Sequence, residues 1–176
     1  AALDGFRTKP AASLILDLRA TPHSADFELA AEVCRRFAPK GRILFSVKRP
    51  KANDEEILTS RDDPRWRGLL VILVDTDTSG AAEVIAAVLR THLGAYVIGQ
   101  RTQGEAAQFE DVPLPGGKVL RIAIGAVTLP DNTRVLVTTC SLAAQPYGLI
   151  RVPATSSLVF DDAAITLRAA GIIDGT

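Results

Sequence analysis

The stretch from Arg67 to Glu105 reads RGLLVILVDTDTSGAAEVIAAVLRTHLGAYVIGQRTQGE and decides the fold. Leu69 to Val74 is an apolar run without a polar interruption, which is typical of a strand covered on both faces. The polar cluster that follows, Asp75 to Ser79, cannot continue such a strand. The run therefore predicts a buried central strand that ends in a polar loop.

A helix and a second strand are predicted next. Val84, Ile85, Val88 and Leu89 recur at helical spacing, and Gly94 is a typical helix stop. Thr78 or Ser79 is the expected N-cap. Ala95 to Ile98 then reads as another apolar strand, closed by the loop from Gly99 to Glu105. Two polar loops at strand ends, flanking one helix, are a natural place for a functional site.

The rest of the chain alternates strands and helices at first and then pairs strands. Lys48 to Arg67 is charged and contains proline, so we interpret it as a surface loop. The pattern indicates an α/β layered fold with a second half rich in β-hairpins. The other predicted elements are strands over 13–18, 43–47, 133–139 and 148–152, helices over 26–37 and 163–170, a short helix or arm over 1–12, a hairpin of 106–112 with 119–124, and a turn over 127–132.

Composition narrows the class of protein. The chain has 176 residues, 47% of them hydrophobic, and a formal net charge of zero, which favours a single globular domain over residues 1–176. The balanced charge gives no indication of a nucleic-acid partner. No apolar run reaches the roughly 18 residues that a membrane span requires, and the first residues lack the pattern of a signal peptide. Cys34 and Cys140 lack metal-type spacing. Two buried free thiols are the simplest interpretation, and a disulfide between them is the alternative.

The motifs around the central helix resemble those of the C-terminal processing peptidases, also called tail-specific proteases. That family uses a serine nucleophile and a lysine base. The similarity lies in Asp75 to Glu83 and Gly99 to Ala106, extends to Ser13–Arg19 and Leu114–Lys118, and covers the chain from Ser13 to about Pro153. Four residues keep the family's register: Glu83, Gly99, Thr102 and Gly104.

The resemblance implies a spiral of strand–strand–helix units, as in the ClpP and crotonase folds. It also implies peptide or protein partners, no cofactor, and an exported or periplasmic location. Members often carry a PDZ domain, but no Gly-Leu-Gly-Phe-like loop is present here.

The resemblance also places the family's functional positions on residues that cannot perform its chemistry. The nucleophile position falls on Gly80, and the lysine position falls on Glu105. The Pro-Gly-Gly whose backbone helps to form the family's oxyanion hole is replaced by Pro22-His23-Ser24. Three changes together predict that the lysine-dependent mechanism is absent. The residues expected around the former oxyanion hole are His23, Ser24, Ser79, Gly80 and Ala81.

One alternative nucleophile remains within reach of the same place. Ser79 precedes Gly80, and the fold would bring His23 near this helix end, so a Ser79 and His23 pair oriented by Glu105 is a candidate. The simpler interpretation of Ser79 is a helix cap. Asp75 and Asp77 with Glu105 are the residue types that bind hard cations, but the spacing of a calcium loop is missing, so we expect no metal site.

Three hypotheses for the function follow. The first is a degenerate tail-specific-protease-like domain that binds a peptide or a partner, or assembles with other copies. The second is an active serine hydrolase that uses Ser79 with a base other than lysine, such as His23. The third is a structural domain of a larger protein whose peptide groove is closed.

Overall fold

The computed structural model describes residues 12–49, 53–115, 118–133 and 135. These residues contain seven strands and two helices. Strands and helices are interspersed up to β5, and two consecutive strands that pair with each other follow. They are β1 (Ser13–Asp17), α1 (Phe27–Arg35), β2 (Ile43–Arg49), β3 (Asp54–Thr59), β4 (Leu69–Val74), α2 (Ala81–Leu93), β5 (Tyr96–Gly99), β6 (Ala107–Leu114) and β7 (Lys118–Thr128). The predicted α/β fold is confirmed.

The first sheet is parallel and contains the predicted central strand. Its order is β1-β4-β5, with β4 in the middle. Alternate β4 side chains point to opposite faces. Ile72 packs into the main core with residues of α1 and α2, whereas Val71 and Leu73 form a second buried cluster with Ile98. Both faces of β4 are therefore buried, as its uninterrupted apolar run predicts.

The second sheet is antiparallel, in the order β3-β2-β7-β6. β6 and β7 form the predicted hairpin. The turn predicted over residues 127–132 begins later than expected, because β7 continues to Thr128, and it closes with a hydrogen bond from Asn132 N–H to the Leu129 carbonyl (2.9 Å). β6 starts directly after the loop that ends β5, so one end of this sheet adjoins the parallel sheet's polar loops.

The prediction of a surface loop over residues 48–67 was wrong for β3. This segment begins with three acidic residues, Asp54 to Glu56, which are unusual in a strand interior. They are tolerated because β3 pairs with β2 alone among the described strands, and β2 carries cations. Arg49 pairs with both Asp54 and Glu56 at 2.8 Å, and Lys48 pairs with Glu55 at 3.5 Å.

Three further outcomes concern single features. Helix α1 begins after Asp26, whose side chain accepts from Leu29 N–H, close to the prediction. Cys34 is a buried free thiol, and burial raises its pKa. Neither described helix is long and apolar enough to cross a membrane. The predictions for residues 1–11, most of 133–139, 148–152, 163–170 and Cys140 fall outside the described residues.

Candidate functional site

The site is built around the sharp turn between β4 and α2. Gly80 is the N-cap of α2, with φ 58° and ψ −119°, a conformation that L-residues with side chains rarely adopt. The prediction that Thr78 or Ser79 caps the helix was wrong. The Thr78 hydroxyl is used elsewhere: it lies 2.9 Å from the Leu18 carbonyl and accepts from Asp75 N–H at 3.0 Å.

Glu83 takes over the role of a cap from inside the first turn of α2. Its carboxylate is buried and accepts four hydrogen bonds. Oε2 accepts from Gly80 N–H (2.9 Å) and Glu105 N–H (2.7 Å). Oε1 accepts from Gly104 N–H (2.6 Å) and the Thr102 hydroxyl (2.5 Å). Four donors compensate the burial of this charge and join the loop after β5 to the start of α2.

Ser79, His23 and Glu105 come together as the sequence hypothesis required. Ser79 Oγ lies 3.4 Å from His23 Nδ1 and 3.4 Å from Glu105 Oε2. His23 Nδ1 lies 3.6 Å from the same carboxylate oxygen, and the His23 ring packs edge-on against Phe109 with 5.6 Å between centroids. The Ser79 side chain is fully buried, whereas His23 and Glu105 are partly exposed.

The geometry of these three residues differs from that of a catalytic triad in one decisive respect. In a triad, one imidazole nitrogen faces the serine and the other faces the carboxylate. Here Nδ1 is the nitrogen nearest to both Ser79 and Glu105. A single nitrogen cannot accept the serine proton while donating its own proton to the carboxylate. The distance of 3.4 Å also exceeds the roughly 3.2 Å at which a base removes a proton directly.

The loop before α1 closes over Gly80. Ala81 N–H, the first amide of α2, donates to the Ser24 carbonyl at 2.7 Å. A Cβ added to Gly80 would lie 2.3 Å from that carbonyl oxygen and 2.8 Å from His23 Nδ1. The five residues expected in the oxyanion region lie close together: His23, Ser24, Ser79, Gly80 and Ala81. The Ala81 amide donates to a backbone acceptor, the Ser24 carbonyl.

The acidic residues after β4 support the backbone. The Asp75 carboxylate accepts from Ala20 N–H (3.1 and 3.0 Å) and from Asp77 N–H (3.1 Å). Ala20 is one of the described non-glycine residues with positive φ, so this contact holds an unusual turn after β1. Among the described residues, no group of three or more His, Cys, Asp or Glu side chains is arranged to hold a metal ion.

Sequence reasoning did not anticipate how much depends on Glu83. The available signal was its place in the first turn of a helix, where a carboxylate can reach back to the N-cap amide. The partners Thr102 and Gly104 lie 19 and 21 residues further along the chain, so the tertiary contact could not be read from the sequence.

Comparison with known proteins gives consistent results. The family model described as Peptidase family S41 matches residues 1–138. The chain is 31% identical over 131 residues to the carboxy-terminal processing protease CtpA of Bacillus subtilis, covering 74% of this chain and 28% of that protein. It is 24% identical over 131 residues to a carboxyl-terminal-processing protease of Synechocystis, covering 74% of this chain and 30% of that protein. The chain therefore spans less than a third of these relatives.

Solved structures show the same fold. The photosystem II D1 C-terminal processing protease matches with a TM-score of 0.63 and 22% identity, over 79% of this chain and 36% of that one. Mature CPAF matches with a TM-score of 0.59 and 12% identity, over 78% of this chain and 39% of that one.

Proposed function

The chain belongs to peptidase family S41, and from that premise we propose that it is a tail-specific-protease-like domain that has lost hydrolysis and binds an extended peptide or protein segment. The observation that carries the proposal is Gly80. Gly80 occupies the sharp strand-to-helix turn on which the resemblance to tail-specific proteases places the nucleophile, and it has no side chain. Covalent catalysis needs a nucleophile and a base that activates it. At the base position, Glu105 supplies a carboxylate in place of an amine.

Retention of the surrounding scaffold supports binding as the remaining role. The Glu83 carboxylate still joins the loop after β5 to the turn at Gly80, although no nucleophile remains at residue 80 to orient. Strand β6 leads away from Glu105 and pairs with β7 alone among the described strands. An edge strand offers backbone donors and acceptors to an extended peptide. We therefore place the binding surface along β6.

Two measurements test this proposal. Purified protein is incubated with a fluorophosphonate probe and with a fluorogenic peptide, and neither labelling nor cleavage is expected. Binding is followed by amide NMR, with an eight-residue probe of alternating valine and threonine flanked by lysines. Amides of β6 are expected to shift, while β3, the opposite edge of the same sheet, serves as the internal control. Equal shifts at both edges, or none at β6, would contradict the proposed surface.

The second candidate is a serine hydrolase that uses Ser79. The contacts of 3.4 Å from Ser79 Oγ to His23 and Glu105 favour it. It requires the buried hydroxyl to become accessible and the imidazole to rotate so that its two nitrogens face different partners. Fluorophosphonate labelling that disappears in Ser79→Ala, and falls at least tenfold in His23→Gln, would establish this function and exclude the first.

A further inference from the structure

The loop over residues 22–24 lacks the family's glycines. It also directs a hydrogen-bond acceptor, the Ser24 carbonyl, to the place where an oxyanion hole would need an N–H donor. The described non-glycine residues with positive φ are Ala20, Asn53 and Asn132, so His23 and Ser24 both have negative φ. In this conformation the Ser24 carbonyl faces the N-terminus of α2 and accepts from Ala81 N–H at 2.7 Å. Glycine is free to adopt positive φ, which allows a peptide unit to turn its N–H inward instead.

The same carbonyl also fills the space above Gly80. The position that a Cβ of residue 80 would take lies 2.3 Å from Ser24 O, 2.8 Å from His23 Nδ1 and 3.0 Å from Ser24 N. Two of these atoms belong to the backbone, so a rotamer change cannot relieve the contact. The loop thus excludes a nucleophile and at the same time engages the first free amide of the helix.

The loop is fixed from three sides. The Ser24 hydroxyl accepts from Asp26 N–H at 3.2 Å, which ties the loop to the N-cap of α1. The His23 ring packs against Phe109 of β6 and approaches the Glu105 carboxylate, and on the other side Ala20 is held by Asp75. The Glu105 carboxylate lies 3.6 Å from His23 Nδ1, and the Arg121 guanidinium lies over the Phe109 ring, 5.9 Å from its centroid.

We propose that the His23–Ser24 segment is a built-in plug, in which the Ser24 carbonyl occupies the Ala81 amide that an acyl group or peptide carbonyl would otherwise use. This inference rests on the proposed function, because it concerns the regulation of the same site. It means that the site is closed by the loop in addition to lacking a nucleophile. Restoring the serine and the lysine alone would leave it closed, and a peptide that enters the site must first displace Ser24.

The first test measures the plug in the unmodified protein by hydrogen exchange at Ala81. The first amides of a helix have no intrahelical acceptor, so slow exchange at Ala81 requires a partner such as Ser24 O. We expect protection in the wild type and in Ser24→Ala, which keeps the carbonyl. We expect at least tenfold faster exchange in the loop variant His23→Gly with Ser24→Gly. Exchange at Ala81 as fast as that of an exposed amide in the wild type would overturn the proposal.

The second test compares fluorophosphonate labelling of two engineered proteins whose folding is checked by thermal unfolding. One carries Gly80→Ser with Glu105→Lys, and the other adds the two loop substitutions. Labelling at least tenfold faster in the four-substitution protein supports the plug. Equal labelling of the two, including no labelling of either, counts against it. Labelling of the wild type would instead contradict the proposed function alone, since Gly80 itself cannot react.

Discussion

The two loops that border the N-terminus of α2 are held in opposite ways. The loop from Gly99 to Glu105 supplies donors: Thr102, Gly104 and Glu105 all give hydrogen bonds to Glu83. The loop before α1 supplies an acceptor, the Ser24 carbonyl, to Ala81 N–H. The first arrangement joins the loop after β5 to the start of α2, and in the second a backbone acceptor engages the first amide of the helix. Under the proposal of a plug, architecture and activity depend on different loops and can be lost separately.

The largest expected effect on stability comes from detaching the loop from Gly99 to Glu105, which supplies donors to Glu83. Glu83→Ala leaves four donors without their acceptor in a buried position, and we expect the free energy of unfolding to fall by about 4 kcal/mol. Chemical denaturation measures this loss. Glu110→Ala, at an exposed position of β6, is the matched control and should change stability by no more than about 0.5 kcal/mol. A loss of less than about 1 kcal/mol for Glu83→Ala would show that the loop is held by other contacts.

A smaller effect is expected where the two loops meet, at Gly80. Gly80→Ala combines the strain of positive φ with a contact of 2.3 Å to Ser24 O, and we expect a cost of about 3 kcal/mol. Gly94, at the other end of the same helix, also has positive φ but nothing within 4 Å of an added Cβ. Gly94→Ala should therefore cost only about 1 kcal/mol. Equal losses of stability in the two variants would mean that the loop before α1 moves aside readily for a side chain at residue 80.

The smallest expected effect concerns Asp17, the exposed last residue of β1, which precedes the loop that carries Ser24. The side-chain hydrogen bond from Arg19 lowers the pKa of Asp17 below its ordinary value of 3.8. Because folding lowers this pKa, the ionised Asp17 carboxylate stabilises the fold at pH values above the unfolded pKa. This contribution disappears as the pH falls through the folded pKa. Asp17 is about half exposed, so Asp17→Asn should cost at most about 0.5 kcal/mol at pH 7. The difference from the wild type should shrink as the pH falls below 3.8 and should vanish once the pH lies below the folded pKa of Asp17. A difference that persists there would exclude the ion pair as its cause.

The sequence predicts the elements with strong patterns and the approximate position of the site. The buried strand β4, the helix α2 and the hairpin follow from apolar periodicity and turn residues. The proximity of Ser79, His23 and Glu105 follows from the order of strands and loops. Strand β3 was missed because its acidic residues are stabilised by cations on a neighbouring strand, which local pattern does not show.

The details that decide chemistry at the site could not be predicted from the sequence. Nothing in Pro22-His23-Ser24 indicates which way the Ser24 carbonyl points, because that depends on backbone angles and on a contact with Ala81 across 57 residues. The same holds for His23, whose nitrogen Nδ1 faces both of its polar neighbours. Residue types can suggest a triad, but only the orientation of the ring tests one.

The four positions that keep the family register, Glu83, Gly99, Thr102 and Gly104, have a common property in the structure. Three of them form the carboxylate-centred hydrogen bonds, and a Cβ on Gly99 would lie 1.8 Å from the Val74 carbonyl oxygen. None of the four carries the reacting atoms. A signature composed of such residues therefore reports ancestry and foldability, and it would be the same whether or not a nucleophile and a base are present.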